Sequence, residues 1–321
     1  MDISTERAGI AQSKNAELPP QIVDAHHHLW DLSAGHYPWL QEEYNRDTFI
    51  LGDYAALTND FLHADYVAAR SGVRVMATVH IEAERSRVEQ LAETRWLHET
   101  KTQWGFPNAV VAHAWLDQAD CEEMLLAHLQ YPLVRGIRCK PVTTSRPDDA
   151  VRGGAGTMRD PKWQNGLALL EKHGLSLDLR VPYWHLGEAA EVTAQFPGLK
   201  IALNHAGLPW DRSEPGLAHW RKGMARLAAN PNVMIKLSEF GLRDSAWDYE
   251  SNARVVADVL AIFGPNRCMF GSNFPVAGLR IGYEQLVKNM QRMMLNLDQA
   301  QRDAVFCRNA LDFYRIELRK P

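Results

Sequence analysis

Eight short apolar runs rich in β-branched residues recur along this chain of 321 residues, and most are separated by segments with helical periodicity. Strands that alternate with helices are typical of a mainly parallel sheet covered by helices. Eight such units within about 250 residues predict an α/β fold, a (β/α)8 barrel of the TIM type, rather than an open doubly wound sheet. The predicted strands cover residues 22–28, 73–82, 109–115, 134–140, 175–181, 199–205, 232–238 and 267–273.

The same pattern predicts the domain organisation. Residues 1–20 are polar and end in two prolines, so we expect a flexible N-terminal arm followed by one barrel domain over residues 21–321. Long stretches interrupt the alternation after strand one, at residues 31–60, and after strand four, at residues 141–162. Loops after strands lie on the catalytic face of such a barrel, and long loops in compact domains are more often functional than idle.

Composition excludes several classes of function. A net charge of −4 and a pI near 6.4 give no electrostatic reason to expect nucleic acid or an anionic membrane as a partner. The four cysteines are scattered without a CxxC pair, and no apolar run approaches the length of a membrane span. We therefore expect a cytoplasmic protein that acts on a small molecule, and the sequence leaves a homo-oligomer open.

Three consecutive histidines follow the first apolar run. Because side chains alternate along a strand, we expect Asp24, His26 and His28 to share one face and His27 to point the other way. Two imidazoles placed two residues apart at the end of a strand can chelate one zinc, manganese or iron ion. The alternative is that these histidines only bond to the carbonyl groups of a turn.

Polar residues also end the other predicted strands. The carboxyl ends of barrel strands meet on one face, where TIM barrels build their active sites. Convergence of several ionisable groups on that face favours a functional site over isolated structural roles. The residues are Glu82, Arg138, Lys140, His205, Glu239 and Asn273.

Six segments, in this order, resemble the amidohydrolase-related (amidohydrolase 2) group of the amidohydrolase superfamily: DAHHHLW, YPWL, GIRCKP, LNHAGLP, IKLSEFG and FGSNFPV. The chain is most similar to the branch of metal-dependent TIM-barrel hydrolases that includes sugar-acid lactonases. The resemblance covers residues 22 to about 315. It implies that His26 and His28 match metal ligands, and that His205 matches a histidine that binds metal or touches the attacked carbonyl group.

The chain departs from the pattern of that family at two strands. Where relatives carry an aspartate that takes a proton from the attacking water, this chain has Asn273, and an amide cannot act as a carboxylate general base. Where many relatives have a histidine on strand five, this chain offers Asp178 and Arg180. No lysine suited to a bridging carbamate is obvious, so a two-metal site is not expected.

The resemblance implies hydrolysis of a small lactone or related cyclic ester of the sugar-acid or muconate type. One divalent metal, zinc or manganese, would be held by His26, His28 and Glu82 and would polarise the carbonyl group and a water molecule. The candidate catalytic residues are His205, Asn273 and Glu239. The candidate substrate-binding residues are Arg138, Lys140, Trp30, Trp39 and Trp184.

Asn273 motivates two further hypotheses. One is a metal-independent lactonase or a decarboxylase built on the same barrel, in which histidine and arginine polarise the substrate. The other is a barrel that has lost catalysis and binds a small ligand.

Overall fold

A computed structural model describes residues 21–147, 149 and 153–318. The predicted N-terminal arm and part of the predicted loop at 141–162 lie outside the described residues. Eight parallel strands form one sheet in chain order, and each lies within one of the predicted runs. The strands are Ile22–His27 (β1), Val75–Ile81 (β2), Ala109–Ala112 (β3), Val134–Ile137 (β4), Ser176–Leu179 (β5), Ile201–Leu203 (β6), Val233–Leu237 (β7) and Cys268–Phe270 (β8).

Helices connect successive strands, and three more follow β8. The helices are Pro38–Gln41 (α1), His63–Ala69 (α2), Gln90–Trp104 (α3), Cys121–Leu129 (α4), Pro161–Lys172 (α5), Leu186–Thr193 (α6), Glu214–Ala228 (α7), Tyr249–Phe263 (α8), Tyr283–Met293 (α9), Gln299–Asp303 (α10) and Asn309–Tyr314 (α11). Within the described part of the chain, no helix is both long and apolar enough to cross a membrane.

The ends of β1 and β8 close the sheet. The Asn273 N–H donates to the His26 carbonyl oxygen at 2.7 Å, and the His28 N–H donates to the carbonyl oxygen of Phe274 at 2.8 Å. These bonds join the first strand to the last, and the predicted (β/α)8 barrel is confirmed. Since β1 and β8 are neighbours, the histidines at the start of the chain lie beside residue 273.

The long segment after β1 forms a core of its own. Its apolar side chains bury one another together with Ala83, which follows β2, and Val276, which follows β8. This packing holds the segment over the mouth of the barrel, as the position of the predicted loop suggested. The segment contributes Trp30, Tyr37, Leu40, Leu51, Tyr54 and Leu57 to this core.

A register irregularity in β1 changes which residues face the barrel interior. Asp24 pairs with Thr78 and His27 with His80, so three residues of β1 oppose two of β2, as in a β-bulge. The bulge shifts the two-residue alternation by one position. The prediction that Asp24 shares a face with His26 and His28 is therefore wrong.

Asp24 instead fastens the junction between β1 and β8. Its buried carboxylate accepts bonds from the Ser272 N–H at 2.8 Å and the Ser272 hydroxyl at 2.6 Å. It also accepts from the hydroxyls of Tyr66 on α2 at 2.7 Å and Tyr283 on α9 at 3.1 Å. One side chain thus satisfies buried donors from β8 and two outer helices.

Removal of this carboxylate is expected to destabilise the barrel strongly. Asp24→Ala leaves several buried donors without an acceptor, which should lower the free energy of unfolding by roughly 3 kcal/mol or more. Tyr283→Phe removes one donor only and should cost about 1 kcal/mol. Urea unfolding of both variants measures the difference, and an equal loss in the two variants would contradict this role.

Candidate active site

Backbone strain marks the end of the barrel where the strands finish. Glu84 after β2, His205 after β6, Glu239 after β7 and Asn273 after β8 have φ values of 58°, 55°, 47° and 55°. Left-handed conformations in residues other than glycine cost of order 1–3 kcal/mol and cluster at active sites and ligand clamps. Four such residues around one opening point to a functional site there.

A cavity of about 290 Å³ lies at this opening. Sites for drug-sized ligands span roughly 300–1,000 Å³, so this cavity suits a small molecule. The long segment after β1 supplies an aromatic wall that includes Trp39, Phe49 and Tyr54. The strand ends supply His28, Arg138, Lys140, Arg180, His205 and Asn273.

Three neutral imidazoles lie side by side at the base of the site. The ring centroid of His26 is 5.1 Å from that of His28 and 4.6 Å from that of His205. Burial lowers the pKa of all three imidazoles. The positive charge of Lys236 lowers the pKa of His26 further, and that of Arg180 lowers the pKa of His205 further. For His28, burial and Arg138 lower the pKa to about 3. Burial and these neighbouring positive charges therefore favour the uncharged form of all three rings.

His27 points away from this group, as predicted. Its ring packs 4.5 Å from the ring of Tyr66 on α2 and 5.6 Å from the ring of His80. It is a core residue of the barrel wall.

Two of the three cations that line the cavity have carboxylate partners. The Arg138 Nε lies 2.6 Å from a Glu82 oxygen, and Lys140 pairs with Glu84. Arg180 makes no hydrogen bond or ion pair with any residue that the structure describes. Its guanidinium is thus the cation available to a ligand.

Glu239 and Asn273 form a unit with His28. The Asn273 side-chain N–H donates to Glu239, and the Asn273 side-chain oxygen lies 3.2 Å from His28 Nε2. Burial raises the pKa of Glu239, which brings this carboxyl closer to the range of a general base or acid. The structure thus brings together predicted site residues that follow β1, β7 and β8.

The structure places the three predicted tryptophans in different positions relative to the cavity. Trp39 lines the cavity, but Trp30 is buried behind it with ring centroids 5.7 Å apart. Trp184 lies elsewhere, against Trp210 and Thr144. Arg180 is one of the cavity residues that the predicted set omits, although it lies near the end of a predicted strand just as Arg138 does.

A divalent ion does not fit the donors that this site offers. Ligating histidines normally turn their second nitrogen toward a carbonyl or carboxylate group. His28 does so, with Nδ1 2.7 Å from the Ile81 carbonyl oxygen, but Nδ1 of His26 faces the ammonium of Lys236 at 3.4 Å. Glu82 is engaged by Arg138 and by the Glu84 N–H at 2.9 Å, so the predicted set of His26, His28 and Glu82 does not assemble.

The remaining donors of the predicted site do not form a catalytic metal centre. His28, His205 and Asn273 line the cavity, and a catalytic zinc site needs three protein ligands around one point. Across the described residues, no group of three or more histidine, cysteine, aspartate or glutamate side chains is placed to hold a metal ion. The positive charges of Lys236, Arg138 and Arg180 oppose a further cation.

Comparisons with known proteins agree with the fold. A family model described as "Amidohydrolase" matches residues 23–316. The uncharacterized protein y4mH of Sinorhizobium fredii is 34% identical over 92% of this chain and 98% of its own length. An L-fucono-1,5-lactonase of Burkholderia ambifaria is 29% identical over 92% of this chain and 96% of its own length. The crystal structure of an amidohydrolase from Burkholderia multivorans with bound zinc has a TM-score of 0.75 and 25% identity, and the match covers 92% of this chain and all of that one.

The electrostatics of the site predict an unusual lysine. Burial lowers the pKa of Lys140 to about 8, against an unperturbed value near 10.4, while Glu84 acts to raise it. Titration of the reductively ¹³C-methylated protein by NMR should show a lysine near pH 8 whose signal is lost in Lys140→Arg, whereas any signal of Lys236, whose pKa burial also lowers to about 8, should remain. Because Glu84 favours the charged form, Glu84→Gln should move this midpoint to lower pH. A midpoint that stays in place or rises in Glu84→Gln would contradict this arrangement.

Proposed function

The chain belongs to the amidohydrolase family, and on that basis we propose that it hydrolyses a small lactone that carries a carboxylate group. The unpaired guanidinium of Arg180 in the cavity wall is the observation that carries this proposal. The lactonase relative at 29% identity supports the reaction type.

Arg180 is the reason for proposing a carboxylate group on the substrate. A charged group removed from water is costly unless it is paired, so an unpaired arginine in a cavity wall is suited to an anionic ligand. A guanidinium binds a carboxylate with two parallel hydrogen bonds, which fixes orientation as well as position. The aromatic wall of Trp39, Phe49 and Tyr54 then faces the ring of the substrate.

The histidines around the cavity, together with Arg138, supply the groups that hydrolysis of a lactone requires. Hydrolysis joins a water oxygen to the carbonyl carbon, breaks the bond from that carbon to the ring oxygen, and delivers a proton to the ring oxygen. N–H donors placed where negative charge develops on the carbonyl oxygen stabilise the transition state. His205 and Arg138 line the cavity and supply such donors.

The proton of the attacking water goes to His28. Because Nδ1 of His28 donates to the Ile81 carbonyl oxygen, Nε2 of the neutral ring holds a lone pair. The Asn273 side-chain oxygen 3.2 Å away is also an acceptor, so the two atoms are placed to accept the two O–H groups of the attacking water rather than to bond to each other. A bound anion offsets the positive charges that lower the pKa of His28, which makes this nitrogen more basic in the complex. Asn273 orients the water through its amide, and Glu239 holds that amide.

The proposed reaction uses no metal ion. The donors around His26 and His28 do not fit one, and the cations of the protein supply the positive charge instead. We therefore favour the metal-independent lactonase among the functions that the sequence suggested.

A panel of lactones tests the function. Five- and six-membered lactones with a free carboxylate should be hydrolysed, with acid release followed by a pH indicator. Arg180→Met should lower kcat/KM for these substrates by about 100-fold, or roughly 2.7 kcal/mol, but should change kcat/KM by less than about 5-fold for the matched methyl esters. Binding without turnover, or release of carbon dioxide instead of acid, would contradict the proposal.

Removal of metal tests the mechanism. After dialysis against a chelator, protein with less than about 0.1 equivalent of any transition metal should retain its lactonase activity. Restoration of lost activity by added zinc or manganese would contradict a metal-free reaction and favour the metal-dependent one.

A further inference from the structure

We propose that Lys236 fixes His26 as the tautomer protonated at Nε2, so that His26 donates a hydrogen bond to the carbonyl oxygen of the substrate. Lys236 is then a positioning residue for the reaction, and its role in catalysis rests on the proposed function.

Lys236 is held rigidly inside the barrel. It lies on β7, is fully buried, and pairs with Asp178 of β5. Its amino group also lies 5.2 Å from the centre of the Tyr314 ring. Asp178 is fixed in turn by the Tyr314 hydroxyl at 2.9 Å and by the Asn204 side-chain N–H at 2.9 Å. The position of the ammonium is therefore set from several sides.

This ammonium determines the protonation pattern of His26. An ammonium has three donors and no acceptor, so an N–H on Nδ1 of His26 would point at another donor. The 3.4 Å separation between Lys236 Nζ and His26 Nδ1 therefore favours a lone pair on Nδ1. A second positive charge 3.4 Å from this buried ammonium is unfavourable, so the imidazole of His26 is neutral and its single proton lies on Nε2.

Nε2 of His26 has no partner within the protein. It is buried and makes no hydrogen bond with any described residue. His26 does not itself line the cavity, but its ring packs against two side chains that do, those of His28 and His205. An unsatisfied donor at the base of a reaction site is suited to a carbonyl oxygen, on which negative charge grows during attack by water.

The position of the ring proton differs between His26 and His28, whose rings are neighbours. His28 carries its proton on Nδ1 and presents a lone pair at Nε2, whereas His26 presents an N–H at Nε2. The pair thus offers one acceptor for the attacking water and one donor for the carbonyl group.

The tautomer can be measured without substrate. In protein with ¹⁵N-labelled histidine, two-bond ¹H–¹⁵N correlation spectra distinguish the two neutral tautomers, and the His26 signals are identified by their loss in His26→Gln. Wild type should show the Nε2–H form. Lys236→Met should show the Nδ1–H form or a mixture, whereas the matched control Tyr314→Phe keeps the Lys236–Asp178 pair and should retain the Nε2–H form.

Two further measurements keep the proposal open to refutation. If Lys236→Met fails to fold because Asp178 is left unpaired, Lys236→Met/Asp178→Asn removes both charges and should show the same change of tautomer. On a lactone that wild type hydrolyses, Lys236→Met should lower kcat by about 100-fold and change KM by less than about 3-fold. Lys236→Gln, which keeps a donor at this position, should recover part of the lost kcat.

An Nδ1–H tautomer in wild type, or an unchanged Nε2–H tautomer in folded Lys236→Met, would overturn the proposal. Because the spectra need no substrate, this outcome is distinguishable from a failure to find a lactone substrate.

Discussion

The contact between the ends of β1 and β8 is the constraint on which the rest of the site depends. Two backbone hydrogen bonds and the Asp24 carboxylate join these strands across the barrel junction. They place His28 against Asn273, although the two residues are 245 positions apart in the chain. The bulge in β1 then turns His26 and His28 into the interior together. Without closure of the barrel, neither histidine would have a partner from the last strand.

The distribution of charge explains what this arrangement can do. Arg138 and Lys140 are balanced by Glu82 and Glu84, and Lys236 by Asp178, so most of the buried charge is internally paired. Among the cations that line the cavity, Arg180 is the exception. The site therefore has one positive charge available for an anionic ligand and three imidazoles for proton transfer and hydrogen bonding, and among the described residues it has no group of three side chains placed to hold a metal ion.

The sequence predicted the strands well because each one is a short apolar run bounded by turn residues. It also predicted which face carries the site, since parallel strands bring their carboxyl ends together. It could not place Asp24, because a bulge depends on pairing with β2. Glu82 was assigned to a metal because nothing local reveals that Arg138, 56 residues later, holds it. Lys236 was missed for a similar reason: it sits inside an apolar strand, and its partner Asp178 is apparent only in the closed barrel.

The central claim is that the cations and N–H donors of the protein polarise the substrate. It is tested most directly by a crystal structure with a carboxylated lactam, a cyclic amide analogue of the substrate, grown in the presence of zinc. We predict that the carbonyl oxygen of the lactam lies within hydrogen-bond distance of His26 Nε2, with no ion between His26 and His28. A zinc ion bound to both histidines and to the carbonyl oxygen would contradict the claim.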